Sequence, residues 1–133
     1  MRVPEGARVL GIGCGRGALL FPLAEATGPR GSAVGIDFAE PMVEAAAREA
    51  EARDLDHVTV HHVDGEAPDF GPGSFDIITG SMSIVMLPDP PAAFADYSRL
   101  LAPGGCLGVT APDTRTGLGA WQMGHLDIGR VAE

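Results

Sequence analysis

Little in this chain could staple a fold or hold a metal. Of its 133 residues only two are cysteine, Cys14 and Cys106, and neither lies in a CxxC or Cys/His cluster. A disulfide framework is thereby excluded, both thiols read as reduced, and no metal-binding residues are expected. Basic residues are scarce too, nine Lys and Arg against eighteen Asp and Glu, for a formal charge of −9. A surface of that sign repels a phosphate backbone, so no nucleic-acid partner is expected, and the charge reads as a solubility device. No apolar run approaches the roughly 18 residues of a membrane span. The opening Met1-Arg2-Val3-Pro4-Glu5-Gly6 lacks the apolar stretch of a secretory signal. The expectation is a cytoplasmic protein without a membrane partner.

What is present is alternation. Short apolar runs at Arg8 to Ile12, Ala33 to Ile36, Val58 to Val63, Phe75 to Thr79 and Cys106 to Thr110 are separated by amphipathic or alanine-rich stretches, with Gly, Pro and Asp at the junctions. Runs apolar nearly throughout suit strands covered on both faces, and their alternation with helical stretches predicts repeated βαβ units. Helices are predicted from Gly17 to about Thr27, from Glu40-Pro41 onward, and over about Pro91 to Leu101 before Pro103-Gly104-Gly105. Right-handed crossovers then give an α/β, doubly wound parallel sheet of strand order 3-2-1-4-5. A ligand crevice opens at the switch point between strands 1 and 4. With no internal repeat or linker, residues 1–133 read as one domain with a core at 7–112 and a tail at 113–133. That length buries about two-thirds of the unfolded surface.

At the switch point stands Val9-Leu10-Gly11-Ile12-Gly13-Cys14-Gly15-Arg16-Gly17, a strand running into a helix through a GxGxG turn. Side chains at Gly13 and Gly15 would hold a ligand off the backbone, and free N–H groups at a helix start can take an anionic group. A dinucleotide fingerprint would place its third glycine one residue later, where Ala18 stands, which disfavours a nicotinamide cofactor. Strand 2 ends in Gly35-Ile36-Asp37, an acceptor-only carboxylate where a ribose diol would arrive. Strand 3 ends in Val63-Asp64-Gly65-Glu66, where Asp64 can accept from an exocyclic amine.

This order of motifs resembles the class I S-adenosylmethionine-dependent methyltransferases, particularly the ubiquinone and menaquinone biosynthesis branch and its small-molecule relatives, over about residues 7 to 112. Phe75-Asp76-Ile77-Ile78 is similar to that family's fourth strand and Leu101-Ala102-Pro103-Gly104-Gly105 to the turn before its fifth. The resemblance implies a Rossmann-like domain that binds S-adenosylmethionine and releases S-adenosylhomocysteine. Gly13, Cys14, Gly15 and Gly17 would hold the methionine end, and Asp37 the ribose. Phe38, Met42, Asp64, Gly65 and Glu66 would surround the adenine, and Ser81, in Gly80-Ser81-Met82, would line the sulfonium end. Where the family commonly carries an acid that orients the amino group, this chain has Gly11.

The resemblance further implies helices before the first strand and two strands after the fifth, and neither is recognisable here. A short helix is expected around Leu118 to Val131. The open edge of the fifth strand should be covered by the tail or by a second copy in a homodimer. The abrupt ending also fits a piece of a longer protein. No catalytic residue is assigned: His57, His61, His62 and His125 lie away from the expected methyl or have no partner in the pattern. The leading expectation is methyl transfer to a small-molecule acceptor. The alternative is a degenerate S-adenosylmethionine-binding module acting as an assembly or regulatory partner.

Overall fold

The computed structural model describes residues 2–112 and 123–128. Six strands, β1 (Arg8–Ile12), β2 (Ser32–Asp37), β3 (Val58–His62), β4 (Phe75–Ser81), β5 (Leu101–Pro112) and β6 (Met123–Ile128), form one sheet in the order β3-β2-β1-β4-β5-β6. The first five are parallel, as the alternation of runs requires. Helices α1 (Leu20–Thr27) and α2 (Glu40–Ala52) connect β1 to β2 and β2 to β3, and α3 (Pro90–Leu100) connects β4 to β5.

The strand order reverses direction between β1 and β4, so right-handed crossovers send the helices to opposite faces. Phe21, Ala24, Ala46 and Ala50 of α1 and α2 pack with Ala33 and Val58 on one face, and Leu23 meets Val9 and Ile77. On the other face Tyr97 and Leu100 of α3 pack against Leu10, Ile12, Ile36, Ile78 and Leu107. Small alanines on α1 and α2 let those helices lie close to the sheet. Tyr97 packs under α3 in the same cluster as Ile84, which belongs to a short 3-10 turn at Ile84–Met86.

Several boundaries differ from the sequence reading for local reasons. Helix α1 starts at Leu20 rather than Gly17, because Gly17 has φ +95°, outside the helical region. Pro22 then falls in the first turn, where its missing N–H costs little. Helix α3 is capped by Asp89, whose carboxylate accepts from the Ala92 N–H at 3.1 Å, and Pro90 and Pro91 occupy its first positions. The fifth strand begins at Leu101, not Cys106. Leu101 pairs with Phe75 and Cys106 with Ile77, so residues 102–105, with Pro103 and Gly104, loop out as a bulge opposite Asp76. Strand β3 forms one edge of the sheet, and Thr59, His61 and His62 are exposed, unlike the fully covered strand expected there.

The tail also differs. Part of the stretch expected to be helical, Met123–Ile128, is instead strand β6, antiparallel to β5 with Leu107 opposite Ile128 and Pro112 opposite Met123. The unpaired edge of β5 demands backbone partners, and Gly124 weakens a helix in this stretch. The rest of Leu118 to Val131 lies outside the described residues. The tail thus covers the fifth-strand edge, and the sheet carries one strand beyond the expected five.

Candidate functional site

Strands β1 and β4 part company at their carboxyl ends, and a cleft of about 440 Å³ opens there. Its walls include Ile12, Gly13, Asp37, Phe38, Asp64, Gly65, Glu66 and Ser81. The turn after β1 is left-handed at three glycines, with φ of +60° at Gly13, +54° at Gly15 and +95° at Gly17. Their surroundings differ. A Cβ on Gly13 would stand 2.3 Å from that of Ser83, and one on Gly17 would meet the Phe21 ring at 2.3 Å. A Cβ on Gly15 would meet nothing within 4 Å. Gly13 and Gly17 therefore admit the protein's own packing, whereas Gly15 faces open space.

Asp37 ties this turn to the neighbouring strand. It is the last residue of β2 and only 8% exposed. Its Oδ2 accepts from the Gly15 N–H at 2.8 Å, and its Oδ1 from the Ala39 N–H at 2.9 Å. A carboxylate offers about four acceptor positions, so about two remain for a ligand hydroxyl pair. Its main chain is engaged as well, the carbonyl accepting from the Val63 N–H at 3.1 Å. A charged group this buried is retained because main-chain donors replace the lost water.

The opposite wall is the stretch after β3. Asp64 Oδ1 accepts from the Glu66 N–H at 2.9 Å, a tight local turn, and the Tyr97 hydroxyl donates to the Gly65 carbonyl from below. Burial, reinforced by Asp96, Asp64 and Glu66 nearby, pushes the Tyr97 pKa up, so the hydroxyl stays a donor at any working pH. Beyond β4, the Ser83 hydroxyl donates to the Ile12 carbonyl at 2.7 Å, and the Met82 N–H donates to the Thr110 carbonyl at 3.0 Å. Met82 holds a left-handed φ of +58°, a conformation that costs a non-glycine residue about 1 kcal/mol or more.

Of the residues singled out from sequence, Gly13, Asp37, Phe38, Asp64, Gly65, Glu66 and Ser81 meet at this one cleft. Cys14, Gly15, Gly17 and Met42 do not line it. Gly15 reaches it through Asp37, and Gly17 is buried against Phe21. Cys14 packs over Gly35 and lines an adjoining hollow of about 130 Å³ with Gly11, Ala18 and Thr79, which shares Ile12, Gly13 and Ser81 with the cleft. Burial first, then the Asp37 charge, pushes the Cys14 thiol up to about 11, so it is no nucleophile at neutral pH.

Sequence reasoning missed Ile12, Ser83, Met86, Leu87 and Pro88 as lining residues and named Met82 only within the Gly80-Ser81-Met82 segment at the sulfonium end. All six line the cleft, and Met86 is 82% exposed. The signal available was position at the switch point: Ile12 ends β1, and the other five follow β4. His57 Nε2 lies 2.9 Å from the Ala24 carbonyl and His62 Nε2 2.8 Å from that of Phe38. No histidine lines the cleft among the described residues, and none there belongs to a cluster that could hold a metal ion.

A family model described as "Methyltransferase domain" matches residues 9–105. Nocamycin O-methyltransferase from Saccharothrix syringae is 51% identical over 128 residues, covering 96% of this chain and 46% of that protein. Aklanonic acid methyltransferase DauC from Streptomyces sp. (strain C5) is 46% identical over 112 residues, covering 84% of this chain and 51% of that protein. The chain thus spans about half the length of the curated relatives it matches. A SAM-dependent methyltransferase from Aquifex aeolicus superposes with a TM-score of 0.79 at 24% identity, over 88% of this chain and 63% of its own, a likeness of fold. With the matched segment running from the first strand through the bulge of the fifth, the chain belongs to the methyltransferase domain family.

Proposed function

We propose that this chain binds S-adenosylmethionine at the β1/β4 cleft and supports methyl transfer to a small-molecule acceptor. The observation that carries the reading is the bond between the Asp37 carboxylate and the Gly15 N–H. It joins an open glycine cradle and a ribose-competent acid at the head of one cleft.

The residues present fit that cofactor. A volume of about 440 Å³ lies within the range of small-ligand sites. Gly13 and Gly15, backed by Cys14 and Gly17, would hold the methionine end, and Asp37 the ribose hydroxyls. Phe38, Asp64, Gly65 and Glu66 would flank the adenine, with Met42 near its outer edge, and Ser81 would stand near the sulfonium. S-adenosylmethionine supplies an electrophilic methyl group, which an acceptor lone pair takes as the carbon–sulfur bond breaks and S-adenosylhomocysteine is left. For such a displacement the protein's task is alignment and exclusion of water. Ile12, Leu87, Met82 and Met86 supply apolar walls for it, and no catalytic base is assigned.

The names of the two relatives support a small-molecule acceptor. We place the chain in the cytoplasm, with both described thiols free, and take residues 1–133 as one unit around the 7–112 core. Calorimetric titration with S-adenosylhomocysteine and NAD tests the binding claim: adenosyl binding is expected, and NAD binding alone would overturn it. Formation of S-adenosylhomocysteine from S-adenosylmethionine with a panel of phenols, amines and quinones tests turnover. Binding without turnover across a broad panel would favour the degenerate binding module instead.

A further inference from the structure

The connection from β3 to β4, residues 63–74, crosses the sheet without a helix, and its first part is the wall of the cleft formed by Asp64, Gly65 and Glu66. An irregular stretch has no ladder of its own, so its position depends on bonds to something rigid. Its two ends have them. The Val63 N–H reaches the Asp37 carbonyl, and at the far end Arg99 donates to the Phe70 carbonyl at 3.1 Å while the Gly73 N–H donates to the Arg99 carbonyl at 3.1 Å. Between those anchors, the bond that ties the cleft wall to the body of the domain is Tyr97 to Gly65.

Tyr97 is fully buried in α3, and a buried phenol needs a partner. Its ring packs edge-on against Phe94, with the ring centroids 6.4 Å apart. Ile12 crowds Gly65 as well: a Cβ there would come within 3.0 Å of the Ile12 methyl group and 3.6 Å of the Tyr97 hydroxyl. Gly65 is thus seated between a β1 side chain and an α3 hydroxyl, directly beneath the cleft.

We propose that Tyr97 is a positioning residue that sets the nucleobase wall of the site, holding Asp64 and Glu66 where they discriminate adenine from other bases. The proposal rests on the S-adenosylmethionine reading of the cleft. The hydroxyl never meets the ligand; it acts through the Gly65 carbonyl. Fully buried as a core side chain, it serves recognition as well as packing.

The test is Tyr97→Phe, which keeps the ring and deletes the bond, read by calorimetry with S-adenosylhomocysteine and S-inosylhomocysteine. The intact chain should prefer the adenosyl compound. Tyr97→Phe should lose about three- to tenfold in adenosyl affinity, the scale of one hydrogen bond, and less for the inosyl compound, so the preference shrinks. Amide exchange should quicken at residues 65–67 and not in β1, and Phe94→Leu, which keeps the hydroxyl, should retain the preference. An unchanged adenosyl-to-inosyl ratio in Tyr97→Phe, or no preference in the intact chain, would overturn the proposal. Failure of the intact chain to bind S-adenosylhomocysteine at all would instead remove the functional reading beneath it.

Discussion

Asp37→Asn should damage ligand binding and stability together. In the parent, each carboxylate oxygen accepts a main-chain N–H, from Gly15 and from Ala39. Asparagine keeps one acceptor oxygen, so its amide must turn a donor toward one of those donors. Losing one charge-assisted bond in a site only 8% exposed costs about 1–3 kcal/mol. For a domain of this size that lowers the melting temperature by roughly 4–12 °C. A ligand diol bonded to the remaining lone pairs would lose a further 1.5–3 kcal/mol or so, about a 10- to 150-fold rise in Kd. Calorimetry with S-adenosylhomocysteine and a melting curve with and without it read the two effects separately. Parental affinity in Asp37→Asn would take Asp37 out of the ligand site, and an unchanged melting temperature would contradict the two backbone bonds.

The glycine turn should separate by position. Gly13→Ala combines a left-handed φ with a Cβ 2.3 Å from Ser83 and should destabilise by about 2 kcal/mol or more in thermal unfolding, whereas Gly15→Ala meets no neighbour and should lose about 1 kcal/mol while weakening S-adenosylhomocysteine binding. The Arg8 guanidinium beside Asp76 holds that carboxyl below its ordinary value of 3.8, so its stabilisation is present above that pH and lost as pH falls through the lower, folded value. Because the pair is 46% and 39% exposed, Asp76→Asn should cost no more than about 1 kcal/mol at pH 7 and should flatten the fall in stability below about pH 4. Iodoacetamide should label Cys14 slowly at pH 7, with the rate climbing toward pH 11; labelling at pH 7 as fast as free cysteine would contradict its burial against Gly35.

The framework was legible wherever a local rule decides alone. Strand order followed from alternation and crossover handedness, and the site's position followed from where the order reverses. Asp37 could be singled out because it ends a strand beside a glycine turn, and the structure places it at the cleft, bonded to that turn. Two kinds of feature could not be read. Pairwise packing was hidden: nothing in the pattern shows that Gly13 yields to Ser83 or that Tyr97 reaches Gly65, since both bring together residues far apart in the chain. Edge effects were hidden as well. Met123–Ile128 becomes a strand because β5 needs a partner, and β3, with two exposed histidines, has no strand paired beyond it among the described residues.

Leu19, Phe38, Met42, Val85 and Met86 are the exposed large apolar side chains among the described residues, and all follow the carboxyl ends of β1, β2 or β4. Exposed apolar area forgoes about 25 cal/mol per Å², and two of these side chains, Phe38 and Met86, line the cleft. Under the proposed function Phe38 faces the adenine, and Met86 meets the apolar body of the methyl acceptor. Met86→Gln separates this from packing, because Met86 lines the cleft yet is 82% exposed. The substitution should leave the stability within about 0.5 kcal/mol of the parent. Affinity for S-adenosylhomocysteine should hold, while KM for whichever acceptor the panel yields rises severalfold. A fall in stability of core size would show Met86 to be packed, and an unchanged acceptor KM would remove it from the acceptor's path.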